Sequence, residues 1–243
     1  MNLGLALMLS LALAGCSHRT LVVAAAPPPP PITPRVAHKT PPAPAPPSEV
    51  LPEDQQYVAT HRPIYSEESV ASWYGPPYHN HRGANGQIFD QNVMTAAHRT
   101  LPMGSLIVVT NEKTGQSATM RVTDRGPFVQ GRQLDLSMAS AKATGVYRAG
   151  LANVRVDVYQ TPKPIEEGGR WCVQIGAFEH EGKAVQLREQ LEKKYRTAQV
   201  IDFAGPTGHW VRIRPEGDNR QEAELMAKRL KPVEGDAYLV RLD

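Results

Sequence analysis

Two aspartates and a histidine stand where short apolar runs meet turn residues in the middle of this chain. Asp124 lies in Val122-Thr-Asp-Arg-Gly-Pro-Phe128, Asp135 in Leu134-Asp-Leu-Ser137, and His98 closes Met94-Thr-Ala-Ala-His98. A pair of carboxyls is what cleavage of a glycosidic bond usually needs, one to protonate the leaving oxygen and one to assist the nucleophile. When the nucleophile belongs to the substrate, one carboxyl can serve twice, because the acid is a base once it has given up its proton. Asp124 follows a strand-like run and precedes an Arg-Gly-Pro turn, which sets its side chain at a strand end where a cleft can form. His98 can orient or tune an aspartate by hydrogen bonding. Each residue also has a plainer use. Asp124 can pair with Arg125 or another arginine, Asp135 can satisfy backbone N–H groups near a helix start, and His98 can be a buried partner in a polar network.

A second set of residues lies near the C-terminus. Val211 and Ile213 alternate with Trp210, Arg212 and Arg214, and Val173 and Ile175 alternate with Cys172, Gln174 and Gly176. Period-two geometry sends the two sets to opposite faces of a sheet. The aliphatic set is expected under helices, leaving Gln174, Trp210, Arg212 and Arg214 on an open face. An aromatic ring with amide and guanidinium neighbours suits a sugar chain, whose ring face stacks and whose hydroxyls and carboxylates accept hydrogen bonds. A sheet that stacks nucleic-acid bases is the alternative, and an ordinary solvated face is the plain one. The net charge of only +3 is too small to draw nucleic acid by electrostatics alone. Cys172 reads as a small packing residue.

The elements that must position these groups fall into blocks. Of the 22 prolines, 13 lie between Pro27 and Pro63, which removes this stretch from any packed core. The five-proline run from Pro27 favours polyproline II, and about 40 such residues reach on the order of 100 Å when extended. Before it, Leu3 to Ala12 is apolar but too short to span a bilayer, which needs roughly 20 residues. It fits the apolar region of a secretory signal, although no Lys or Arg precedes Cys16. From Val70, strand-like runs (Val70–Tyr74, Leu106–Thr110, Ala118–Thr123 and Val154–Tyr159) alternate with Gly/Pro turns. One helix is expected over Ser137 to Thr144, with Ser137 as N-cap and Gly145 just past its end. Many short strands and little helix argue for a small barrel or sandwich. Beyond the linker of residues 161–168, strands at Arg170–Ala177, Gln199–Phe203, His209–Arg214 and Ala237–Leu242 alternate with helices at Glu181–Tyr195 and Asp218–Leu230. The second helix opens with Asp218 and Gln221 in a capping-box arrangement. The order βαββαβ is that of a ferredoxin-like sandwich.

Leu13-Ala-Gly-Cys16 closely resembles the lipobox of bacterial lipoproteins, in which cleavage leaves Cys16 as an acylated N-terminus. Ser17 is not the aspartate tied to inner-membrane retention. The strings Ala71-Ser-Trp-Tyr-Gly75, Ala84-Asn-Gly86, Met94-Thr-Ala-Ala-His98, Thr100-Leu-Pro102, Val122–Phe128 and Leu134–Ser137 together resemble the rare lipoprotein A family. The C-terminal Trp171-Cys-Val-Gln-Ile-Gly-Ala-Phe178 is similar to SPOR domains.

The resemblance implies a mainly β plus α+β chain: a six-stranded double-psi β-barrel followed by a ferredoxin-like SPOR domain. Residues 1–15 are then a signal peptide, 16–67 a proline-rich disordered linker, 68–160 the barrel and 169–243 the SPOR domain. It implies an endolytic lytic transglycosylase acting on peptidoglycan strands stripped of stem peptides and leaving 1,6-anhydro ends. Asp124, His98 and Asp135 are the candidate catalytic residues, with Asp124 favoured as acid and base. Gln87, Trp73, Tyr74 and Arg125 are candidates for substrate binding, and Gln174, Trp210, Arg212 and Arg214 for glycan binding by the SPOR sheet. A monomer anchored through Cys16 at the periplasmic face of the outer membrane and enriched at the septum is expected, with no cofactor, metal or nucleic acid. One departure matters: where active members of the family carry a glutamate after Asn-Gly, this chain has Gln87, and an amide cannot transfer a proton at useful pKa. A non-catalytic, expansin-like binding protein is therefore a second reading. Hydrolysis by Asp124 and Asp135 as an inverting pair, with carboxyls roughly 6.5–9.5 Å apart, is a third.

Overall fold

The computed structural model describes residues 50–202, 208–232 and 234–243; the signal segment, Cys16 and the spacer to residue 49 lie outside them. Where unstructured chain was expected up to residue 67, a nine-residue helix α1 runs over Pro52–Thr60 and strand β1 starts at Tyr65. The helix has local reasons: Pro52 occupies its first turn, where a missing N–H costs nothing, and Glu53 and Asp54 complement the positive end of its dipole. Asp54 is buried and accepts two hydrogen bonds from the Arg121 guanidinium, pinning the helix to the barrel.

The barrel closes through six strands: β1 (Tyr65–Trp73), β2 (Thr95–His98), β3 (Leu106–Asn111), β4 (Ser117–Asp124), β5 (Leu134–Leu136) and β6 (Ala152–Gln160), in the order β1-β5-β2-β4-β3-β6. The β1/β5 and β2/β4 pairs are parallel and the rest antiparallel. This crossed pairing is the double-psi arrangement. Alternation fills the interior: Val154, Val156 and Val158 of β6 are buried while Asn153 and Arg155 are exposed. They meet Ala71, Ala96, Leu101, Ile107, Val109, Met120, Val122, Leu134 and Leu136 in one core. Each large aliphatic removed from water contributes about 1.5–3 kcal/mol. Ser137 caps α2 (Met138–Ala143), its hydroxyl accepting from Ser140 N at 3.1 Å, and Gly145 ends it at φ 74°. A short α3 (Val146–Ala149) follows.

The C-terminal domain has the expected order: β7 (Trp171–Phe178), α4 (Glu181–Glu192), β8 (Gln199–Asp202), β9 (His209–Ile213), α5 (Arg220–Arg229) and β10 (Asp236–Arg241). Its antiparallel sheet runs β10-β7-β9-β8. Trp171, Val173, Ile175, Val211 and Ile213 face Ala184 and Ala223 of the helices. The cap of α5 is Asn219, whose Oδ1 accepts from Glu222 N at 3.0 Å, rather than Asp218. Asp218 is turned to φ 53° and binds Arg170 and Arg214 instead.

Candidate active site

The site is built around β2. Ala97 pairs with Asp135 of β5 on one side and with Asp124 of β4 on the other. Strands about 4.8 Å apart place the two aspartate backbones roughly 10 Å apart across β2. The register with β4 slips here: Ala96 pairs with Val122 and Ala97 with Asp124, leaving Thr123 over. Val122 points into the core, and unbroken alternation would send Asp124 the same way. The bulge re-aims it. Asp124 then joins Asp135, which lies between the core-facing Leu134 and Leu136.

The two carboxyls have different surroundings. Asp124 Oδ1 accepts backbone N–H groups from Ala84 and Arg125, both at 2.8 Å. Burial raises its pKa above the usual carboxylate value, while these donors and the Arg125 charge pull it down. Gly83 of the donor loop lies beside the carboxylate, where a Cβ would come within 3.4 Å of Asp124 Oδ2. Asp135 has one oxygen on Arg132 at 3.1 Å, and its Oδ1 is buried with no hydrogen-bond partner among the described residues. Burial pushes its pKa up to about 6, against the pull of Arg132 and Arg99. Tyr74 stands between them. Its hydroxyl is held well above its usual range by burial and then by the charges of Asp124 and Asp135. Its ring stacks on Phe89 at 4.4 Å and meets Tyr78 edge-on at 5.8 Å. Arg132, Tyr78 and Phe89 carried no signal in the sequence beyond their types.

Four of the expected groups make contacts within the fold. His98 is only 2% exposed and bonds neither aspartate. Its Nδ1 accepts from Thr100 N and Leu101 N at 3.2 and 3.0 Å, so the proton sits on Nε2, which donates to Glu67 at 2.8 Å. Burial works to raise the Glu67 carboxyl, but the hydrogen bonds from His98 and Tyr65 bring it below its ordinary value. The pair ties β2 to β1. Arg125 is 8% exposed and its two terminal guanidinium nitrogens donate to the His98, Leu101 and Asp243 carbonyls. Burial, then Arg241, lowers its pKa to about 10. Trp73 turns to the other side of β1 from Tyr74, against the barrel core and the Tyr147 ring at 4.7 Å. In the C-terminal sheet, Gln174 and Trp210 are 0% and 2% exposed, so the face they share is covered rather than open. Arg212 donates to Gln174 Oε1 at 2.9 Å, and Arg214 is held by Asp218 at 2.6 Å.

Gln87 is exposed on the loop that feeds Asp124. Its Oε1 accepts from Asn85 Nδ2 at 3.0 Å, its N–H donates to Asn85 Oδ1 at 2.9 Å, and its carbonyl accepts from Gly83 N at 2.8 Å. The residue thus braces the loop whose Ala84 N–H reaches the carboxylate. A cavity of about 1480 Å³ lies elsewhere on the barrel, lined by Asn111, Lys113, Gln116, Lys142, Tyr147 and Arg148 among others, and neither aspartate borders it.

Comparison with known proteins agrees domain by domain. The lytic transglycolase family matches residues 66–156, and the SPOR domain matches residues 167–241. An endolytic peptidoglycan transglycosylase RlpA of Vibrio cholerae is 40% identical over 59% of this chain and 57% of its own length. The RlpA of Pseudomonas aeruginosa is 47% identical over 67% of this chain and 49% of its own, and that of Campylobacter jejuni 36% over 54% and 56%. The chain spans about half the length of these curated relatives. The chain thus resembles these relatives in two successive segments, a lytic transglycolase barrel and a SPOR domain that follows it.

Proposed function

We propose that the chain is an endolytic peptidoglycan lytic transglycosylase, cleaving MurNAc-β-1,4-GlcNAc bonds in glycan strands without stem peptides. The observation that supports this most is the pair of half-buried aspartates flanking Ala97 with unlike surroundings. Two carboxyls in unlike environments can divide acid and electrostatic roles between them. Asp135, titrating near 6 with one free oxygen, is suited to hold a proton, give it to the departing GlcNAc oxygen, and then take the proton of the muramoyl C6 hydroxyl as that oxygen closes on C1. Both sugar fragments are then released without water, one with a 1,6-anhydro end. Asp124, whose Oδ1 accepts two backbone N–H groups, is assigned to face the positive charge that develops at C1. This exchanges the roles expected from sequence, where Asp124 was favoured as the acid. Tyr74 and the Gln87 loop are assigned to holding the sugar.

The C-terminal domain is assigned to the same naked strands. Cys16 is assigned to acylation, with the chain a monomer at the periplasmic face of the outer membrane near the septum. Nucleic acid has no part in this reading. Gln87 supports one competitor, glycan binding without cleavage, because its amide replaces the glutamate of active relatives. Incubation with naked glycan strands and analysis of the ends separates the readings. Anhydro ends are expected; reducing ends would mean hydrolysis, and intact strands would mean binding alone.

A further inference from the structure

The turn that follows Asp124 leaves the barrel and enters the C-terminal sheet. Phe128 lies 4.7 Å from the Trp210 ring and 5.7 Å from the Tyr238 ring. Cys172, Tyr238 and Val240 form a small buried cluster with Phe128 and Leu242 against it. These residues alternate with the helix-facing Val173, Leu239 and Val211, so they occupy the sheet face that carries Gln174 and Arg212. Polar contacts frame the rings. Arg125 donates to the Asp243 carbonyl at 2.8 Å, Met103 N to the same oxygen at 3.2 Å, and Arg241 N to Arg99 O at 2.9 Å. The Arg99 guanidinium lies 5.1 Å from the Tyr238 ring centroid.

We propose that this sheet face is a docking surface for the barrel's own Arg125–Phe128 turn, and that a glycan strand competes with the turn for it. The proposal rests on the assignment of glycan binding to Gln174, Trp210 and Arg212. A sugar ring cannot stack on an indole that is 2% exposed with Phe128 beside it, so gripping glycan requires the C-terminal domain to swing off the barrel. The turn begins one residue after Asp124, and its first N–H, that of Arg125, holds the Asp124 carboxylate. Capture of a strand by one domain is thereby linked to the charge environment of the other's acid site. Free chain is held closed, and chain engaged with glycan is released.

Cys172 supplies a direct probe, because it is fully buried on the docked face and, with Cys16→Ser, is the only thiol. The full chain carrying Cys16→Ser is treated with a thiol reagent, and its affinity for naked glycan strands is measured in parallel. Phe128→Ala is expected to speed labelling and tighten glycan binding, each by up to about tenfold, the order of one lost aromatic contact. Arg99→Ala, a change on the barrel surface, is expected to act in the same direction if Phe128→Ala is poorly folded. Rapid labelling of the parent would overturn the docked arrangement. Rapid labelling of Phe128→Ala with unchanged glycan affinity would overturn the competition. Full glycan binding by the double variant Phe128→Ala/Trp210→Ala would instead overturn the assignment of glycan to this face, on which the competition depends.

Discussion

Asp135→Asn tests the acid assignment through two properties that a merely structural aspartate would not move together. The substitution keeps the shape and one acceptor oxygen but removes the proton that the leaving group needs. General acid–base assistance is typically worth a factor of about 10²–10⁴, so release of anhydro ends should fall by that much. Stability should move the other way. The folded carboxyl titrates near 6 against a reference value of 3.8, so between these pH values the native state binds more protons than the unfolded chain. Stability is therefore lost as pH rises through that window and stays lower above it. The full difference corresponds to about 3 kcal/mol, and losing the ionic partner of Arg132 offsets part of it. Urea unfolding of parent and variant should give curves that differ little near pH 3.5 and diverge by about 1–3 kcal/mol in favour of Asp135→Asn by pH 7.5. Parent-level turnover by the variant would remove Asp135 from the chemistry. A stability gap independent of pH from 4 to 7 would refute the claim that burial raises its pKa.

Asp124→Asn is expected to abolish cleavage while leaving the fold, because an amide oxygen still accepts from Ala84 and Arg125; equal turnover would remove the charge at that site from the mechanism. Gln87→Glu should change the rate of anhydro-end release less than tenfold, since residue 87 braces a loop; a larger rise would show a proton-transfer role typical of general catalysis. His98→Ala should cost about 2–4 kcal/mol in urea unfolding, because it orphans the Thr100 and Leu101 N–H groups and the Glu67 carboxylate. Palmitate labelling should disappear in Cys16→Ser, and unchanged labelling would sink the anchor.

The C-terminal domain was readable because its strands and helices carry full hydrophobic periods; Val173, Ile175, Val211 and Ile213 all face the helices as alternation required. In the barrel, the long strands were visible and the two short ones beside the aspartates were not. Thr95-Ala-Ala-His98 and Leu134-Asp-Leu136 are four and three residues long, too short for a period and, in β2, low in β-branched residues. The aspartates could be picked by type, but their shared position about Ala97 depends on a bulge that no local pattern announces. The internal contacts of His98 and Arg125 were hidden for a related reason. Polar residues in a motif string suggest reach toward a ligand, whereas here they satisfy carbonyls, amides and a carboxylate inside the fold. Trp210 failed at a longer range, since alternation fixed its face and the occupant of that face comes from residue 128.

The ion pair between Asp54 and Arg121 redraws where this protein can be severed without harm. A nick before Pro52 would leave the barrel with its first helix still clamped to β4. A nick after Thr60 would strip that helix, leave Arg121 without its carboxylate, and fray the strand that presents Glu67 to His98. Shedding and destruction are thus separated by fewer than 15 residues of sequence. Limited proteolysis should yield a stable fragment starting near residue 50, and none starting at residue 68, where composition alone would have placed the border.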